Sequence, residues 1–332
     1  MHPSALLLIM VAAAGAAMVQ GHPAAHTPAA LQFWENTLIG SRMPDAIADL
    51  VQRGIDHSPL EEHYSASPSA NNVCTIYDAI CNLRSMSAGG AAGDLFFHEA
   101  QLRPGSTMTA SLPAEVESAI LPHDVAGKVP FGNLRDVLAT FNIPAGSAEA
   151  ARVRDTLRRC RAPPLPGERK ACAASLEGTV RSAVGMLGGA AWAAASALPR
   201  AGLPRGPYEV QAVAPLDGDR YVACHKMPFP YAVYHCHMTG MSATRAYKVS
   251  LRGGDDPAAA AAVMMLALCH RDTSQWNPAH PAFEVLRTHP GGAPVCHFMP
   301  YANLVFVKTT KGDKATKRSA GIHGMPSGED VL

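Results

Sequence analysis

The segment Cys224-His-Lys-Met-Pro-Phe-Pro-Tyr-Ala-Val-Tyr-His-Cys-His237 carries two Cys-His doublets with ten residues between them. Two more doublets follow, Cys269-His270 and Cys296-His297, after gaps of 31 and 25 residues. Chance is a poor explanation for four such doublets. Successive side chains on a strand point to opposite faces, so each cysteine can enter a core and be oxidised there while its histidine leaves on the other side. Four imidazoles, His225, His237, His270 and His297, can then converge. His235 shares a strand face with His237 and is a candidate further ligand or supporting partner. With the thiols oxidised, the remaining donors are nitrogen only, which suits copper or zinc, with copper(II) first in intrinsic affinity. Such ligands must be neutral, so binding is expected to weaken as pH falls through the ordinary histidine value of about 6.5. A single histidine is more often a hydrogen-bonded structural group. The repetition of the doublet is what brings metal ligation forward.

Around the doublets the pattern favours strands. Tyr208–Val213, Tyr221–Cys224, Tyr231–Tyr234, Ala246–Leu251, Val263–Leu268 and Leu304–Val307 are rich in β-branched and aromatic residues and are separated by turn residues. Upstream the signals are mostly helical, after an expected strand opening at Asp94-Leu-Phe-Phe97. Ser147 is an N-cap before a helix that ends at Arg158-Arg159-Cys160, with cations where the helix dipole favours them. A Pro-Gly break precedes a second expected helix from about Glu168 to Leu187. Cys160 and Cys172 flank that break and are expected to pair as a staple, while Cys224, Cys236, Cys269 and Cys296 pair among themselves. The fold class is α+β: a helical first half of the domain, then a β-rich, disulfide-stapled half that carries the doublets.

The chain has 332 residues, with 28 Lys plus Arg against 27 Asp plus Glu, so its net charge of +1 offers no global field for nucleic acid or an anionic membrane. Residues 5–18 form an uncharged run that is short for a membrane span, and Val19-Gln-Gly21 supplies small residues after it, so 1–21 is expected to be an export signal. No later run is long enough to span a bilayer. Export favours disulfides among the eight cysteines. Residues 22–93 are a variable lead, with Met43, Ile47, Leu50, Val51 and Ile55 at helical spacing and a linker at 85–93. Cys74 and Cys81 are too far apart on a continuous helix, about 10.5 Å of rise, to bridge each other. The domain runs from 94 to 308, and the lysine-containing tail 309–332 is expected to be disordered. Motifs of serine hydrolases, zinc peptidases, phosphate-binding loops and Cys-x-x-Cys sites do not occur.

The doublets, with Leu95-Phe-Phe-His98, Leu102-Arg-Pro-Gly105, Val129-Pro-Phe131, Cys160-Arg-Ala-Pro-Pro164, Cys172-Ala-Ala-Ser-Leu-Glu177, Cys269-His-Arg-Asp-Thr-Ser-Gln-Trp-Asn-Pro278 and Val295-Cys-His-Phe298, resemble the plant BURP-domain family over about 94–308. Two departures stand out. Phe306 takes the place of the family's usual Trp, and the stretch around Arg252-Gly-Gly-Asp-Asp-Pro-Ala258 lengthens the approach to the third doublet. The first reads as a packing change and the second as a loop extension.

The resemblance implies a secreted plant protein tied to the cell wall or apoplast in development or stress, with wall polysaccharide or wall proteins as partners. An alternative within the family is a copper-dependent cyclase that crosslinks an aromatic side chain of a ribosomal peptide. Such cyclases commonly carry repeated core peptides ahead of the domain, and 22–93 has no repeated block. A further alternative is a non-catalytic regulator associated with polygalacturonase.

Overall fold

Two antiparallel sheets face each other in the computed structural model, which describes residues 28–56, 94–112, 114, 118–240, 243–253 and 262–309. The strands are β1 Phe96–His98, β2 Thr107–Leu112, β3 Arg169–Ala173, β4 Ala191–Ala194, β5 Leu203–Pro215, β6 Tyr221–Met227, β7 Val233–Met238, β8 Thr244–Gly253, β9 Val263–His270, β10 Val295–Phe298 and β11 Leu304–Lys308. The first sheet has the order β1-β10-β9-β8-β5-β2, and the second has the order β3-β7-β6-β11-β4. All six strands expected from the sequence lie in these elements, although β7 begins two residues after Tyr231. The architecture mixes helices and strands and is β-rich in its C-terminal part.

Between the sheets lies a core of Ala223, Val305 and Val307 from one side and Ala246, Leu266 and Leu268 from the other. The alternation of strand side chains carries this face on to His225 along β6 and to His270 along β9. Val222, Cys224, Tyr234, Cys236 and Phe306 belong to a different core. They share it with Leu176, Val180, Ala183 and Leu187, whose helical spacing gives helix α6 (Leu176–Leu187) an apolar face.

The helices before α6 in the chain are α1 Ala29–Thr37, α2 Asp45–Asp56, the single turn α3 His123–Ala126, α4 Leu134–Thr140 and α5 Ala148–Arg161, and α7 (Pro281–Leu286) follows it. As the sequence predicts, Ser147 caps α5, its Oγ accepting the Ala150 N–H at 3.1 Å. Helices α4 and α5 bury Val137, Phe141, Val153 and Leu157 against Met227, Phe229, Tyr231 and Val233, the residues that join β6 to β7. Thr156 Oγ1 also donates to Pro228 O at 2.8 Å. The connection between the first two doublets is thereby held on one side.

The expected helix from Glu168 to Leu187 is corrected. Only Leu176–Leu187 is helical, and residues 169–173 form β3, which pairs with β7 so that Lys170 faces His237 and Cys172 faces His235. The edge of β7 offers backbone partners that a helix could not use, and Ser175 starts the helix afresh by accepting the Gly178 N–H. Other strands had weak sequence signals, β4 because it is Ala-Trp-Ala-Ala and β10 because it is four residues long.

Within the lead, α2 matches the expected apolar spacing: Ile47 and Leu50 are fully buried, but Ile55 is 51% exposed. Helix α1 adds Trp34, fully buried, with its ring 6.3 Å from that of Phe306. Phe306 occupies a core position, as its packing reading required. Gly54 lets α2 close on the chain at Ile120, because a Cβ there would meet the Ile120 carbonyl oxygen. The expectations for 1–21, the 85–93 linker, Cys74 and Cys81, and the tail beyond Thr309 lie outside the described residues.

Among the described residues, three disulfides join Cys160 to Cys172, Cys224 to Cys236 and Cys269 to Cys296. The first pair links α5 to β3, and the doublet cysteines pair among themselves as expected. Peptide mapping without reduction is expected to recover these three crosslinks. Replacing Cys160 and Cys172 together by serine should lower unfolding stability by about 2–4 kcal/mol, as the loss of a short closed loop implies. An unchanged urea midpoint would show that the staple constrains nothing in the unfolded chain.

Candidate metal centre

Cross-strand register creates the centre. Cys224 stands opposite Cys236 on β6 and β7, and Cys269 stands opposite Cys296 on β9 and β10. Each cystine crosses its own sheet on one face, so the histidine that follows each cysteine leaves on the other. His225 and His237 come from the second sheet, and His270 and His297 come from the first.

The four rings close a quadrilateral. Ring centroids are 5.4 Å apart for His225 and His237, 6.0 Å for His237 and His270, 5.5 Å for His270 and His297, and 5.5 Å for His297 and His225. Two of its sides are direct nitrogen contacts: Nε2 of His225 is 3.3 Å from Nε2 of His237, and Nε2 of His270 is 3.4 Å from Nε2 of His297. His235 lies across from His225 in register, and its ring is 5.5 Å from that of His237. Two further histidines between the third doublet and the fourth have other places. His280 accepts the Ala282 N–H at the start of α7 and packs on Trp276, and His289 is exposed.

The outer nitrogens assign the tautomers of three rings. His225 Nδ1 is 3.2 Å from Asn303 Oδ1. That oxygen also receives the Lys226 N–H, and Asn303 Nδ2 donates to Tyr301 O, so the amide is oriented with its oxygen toward the histidine. His297 Nδ1 donates to Phe298 O at 3.2 Å, and His237 Nδ1 donates to Glu168 Oε1 at 3.3 Å. In a neutral imidazole the other nitrogen then carries a bare lone pair. The Nε2 atoms of His225 and His237 consequently face each other as two acceptors, an arrangement that calls for a cation or a shared proton between them. His270 differs from these three: its Nδ1 is buried with no hydrogen-bond partner among the described residues.

Burial keeps His225, His270 and His297 neutral. It lowers the pKa of His225 and of His270 well below the ordinary value, and the neighbouring imidazoles push in the same direction. Burial takes His297 down to about 4, against the opposing hydrogen bond to Phe298 O. It takes His235 to about 3 and His280 to about 4. Burial works against ionisation of Glu168, but the hydrogen bonds from His237 and from the Leu165 N–H outweigh it and hold the carboxyl below its usual range.

The donor chemistry fits a transition metal. Two nitrogens bound to one tetrahedral ion at about 2.0–2.1 Å stand roughly 3.3–3.4 Å apart, the spacing of both pairs here. Outer N–H groups donated to a carboxylate or carbonyl are the usual support of ligating histidines. Among the described residues no three side chains close into a finished shell. The fold supplies two nitrogen pairs side by side.

A family model described as the BURP domain matches residues 95–308. The chain belongs to the BURP family. It is 42% identical over 265 residues to BURP domain-containing protein 13 of Oryza sativa subsp. japonica, covering 78% of this chain and 63% of that one. It is 43% identical over 245 residues to Protein RAFTIN 1A of Triticum aestivum, covering 70% of this chain and 61% of that one. With BURP domain protein RD22 of Arabidopsis thaliana it shares 39% identity over 221 residues, covering 64% of this chain and 55% of the relative. This BURP protein thus spans less than two thirds of the length of these relatives. No helix among its described residues is long and apolar enough to cross a membrane.

Sequence reasoning found the four doublet histidines and missed Glu168, Asn303 and Trp276. Trp276 packs edge-on against the His270 ring at 5.0 Å. It stands seven residues from Cys269 within the resembling segment, a signal that was available, whereas Asn303 and Glu168 lie in loops whose proximity only the sheet pairing creates.

Acid should destabilise the metal-free protein. Below about pH 6.5 the unfolded histidines take up protons, whereas His235, His280 and His297 stay neutral in the fold until about 3–4. Stability therefore falls as pH drops from about 6.5 toward 4. Melting temperatures measured across that range in the presence of a chelator should decline, and a flat profile would mean that the rings are protonated within the fold.

Proposed function

We propose that this BURP protein is exported to the apoplast and acts there as a cell-wall-associated protein of development or stress, binding copper through His225, His237, His270 and His297, with His235 beside them. Wall polysaccharide or wall proteins are its partners in this reading. The observation that carries the copper assignment is the fixed outward donation of three Nδ1 groups, which leaves unprotonated Nε2 atoms turned toward one another. Export is supported by three disulfides, which persist in oxidising compartments, and by the uncharged run at 5–18.

Copper, when bound, supplies one-electron chemistry between its cuprous and cupric states. The chain's own part is to hold the rings. Two cystines fix the strands that bear them, Asn303, Glu168 and Phe298 O set their orientation, and burial keeps protons from competing for the nitrogens. His225, His270 and His297 are each no more than 5% exposed. A peptide side chain would have to displace packed protein to reach them, which favours a binding protein over the peptide cyclase.

Titrating copper into the oxidised protein tests this. Each of H225A, H237A, H270A and H297A is expected to weaken binding by at least about tenfold, the loss seen even when only an outer partner of a ligand is removed. Parent-like binding by all four variants would make the doublets purely structural. Crosslinking of a Tyr- or Trp-containing peptide by the copper-loaded protein under air would revive the cyclase. N-terminal sequencing of secreted protein should begin near His22, and a chain still starting at Met1 would contradict the export signal.

A further inference from the structure

Glu168 lies well before every member of the centre in the chain, yet its carboxylate reaches His237 Nδ1 at 3.3 Å. It is well placed to stay there. Its other oxygen accepts the Leu165 N–H at 2.8 Å, and its side chain is only 12% exposed. The segment that carries it is bounded by the Cys160–Cys172 disulfide, and the strand that follows is zipped onto β7 with Lys170 opposite His237. The other outer contacts are different in kind. Asn303 offers His225 a neutral amide oxygen, and Phe298 offers His297 a neutral backbone carbonyl. His270 Nδ1 has no hydrogen-bond partner among the described residues. Among these contacts, Glu168 contributes the one formal negative charge.

We propose that Glu168 is a positioning residue that tunes the centre electrostatically, orienting and polarising His237 and stabilising bound Cu(II) relative to Cu(I). The inference rests on the copper reading above and goes beyond it by assigning a redox preference to one side chain. Four neutral imidazoles leave the full charge of the metal uncompensated in a buried site, where charge is costly. A carboxylate one imidazole away offsets part of that charge and polarises His237 through its N–H, and both effects grow with the charge on the metal. The divalent ion therefore gains more than the monovalent one. The proton remains on Nδ1 throughout, and reduction at the copper takes one electron from an added reductant.

The test measures Cu(II) and Cu(I) affinities separately, with the metal ions alone as probes, on the oxidised full chain and on Glu168→Gln and Glu168→Asp. Glu168→Gln keeps the shape and removes the charge. It should weaken Cu(II) binding by about tenfold or more while changing Cu(I) binding far less, the size expected for an outer-shell partner. A tenfold change in that ratio corresponds to a potential about 59 mV higher for one electron. Glu168→Asp keeps the charge and should stay closer to the parent in this ratio even if both affinities fall. Equal losses for the two oxidation states in Glu168→Gln, or the same ratio in both variants, would reduce Glu168 to a structural contact and overturn the inference while leaving copper binding intact. A parent that binds neither ion overturns this inference together with the copper reading. Disulfide mapping and melting of the metal-free variants establish that they fold, and an unfolded Glu168→Gln leaves the comparison of Glu168→Asp with the parent to decide: a lowered Cu(II)-to-Cu(I) ratio despite the retained charge would overturn the inference.

Discussion

Everything in the centre depends on the register of two cross-strand cystines. Cys224 meets Cys236 and Cys269 meets Cys296 directly across antiparallel pairs. Side chains alternate with a period of two, so a slip by one residue would turn the sulfurs toward the inter-sheet core and the imidazoles toward the other face. Covalent bonds at these positions forbid that slip. The same bonds place one pair of rings on each sheet, so the centre is assembled only when the sheets close on each other.

Closing the sheets sets a second constraint. Neutral imidazoles are polar, and burying them requires partners for their nitrogens. The fold meets this for His225, His297 and His237 from three separate elements: the loop before β11 with Asn303, the end of β10 with Phe298, and the approach to β3 with Glu168. Trp276 packs on the His270 ring, and the His280 ring lies 4.7 Å from that of Trp276. Local polarity at the outer nitrogens and apolar packing around the rings act together, because each outward hydrogen bond is what permits the inward nitrogen to be left bare.

Much of this was legible in the sequence because it is local. Alternation within a strand turns a Cys-His doublet into two opposite faces, and that step requires no knowledge of topology. The Ser147 cap, the apolar spacing of α2 and the strand-like stretches around the doublets are of the same kind. What escaped reading is long-range. Residues 169–173 looked helical because their propensities are, and became a strand because β7 had an unfilled edge. Asn303 and Glu168 carry no local mark, since their meaning comes from a neighbour 78 residues away in one case and from a sheet edge in the other. Ile55 fitted an apolar stripe and still faces solvent, because in the last turn of α2 it is Gly54 that lies against the chain at Ile120.

The family match begins at residue 95, but the interior does not. Trp34, Leu38, Ile47 and Leu50 from α1 and α2 are fully buried within the main core. The Ile120 N–H donates to Leu50 O, Ala193 N–H to Ser41 Oγ, and Tyr301 OH to Asp49. Fully burying side chains of this size contributes roughly 1.5–3 kcal/mol apiece. These contacts hold the helix pair on the domain independently of the chain that joins the two, so a backbone cut between them would leave both pieces packed together. The helix pair would stay seated as a non-covalent light chain. Protein nicked in this way would show two bands in reducing denaturing gels and one species in native ones.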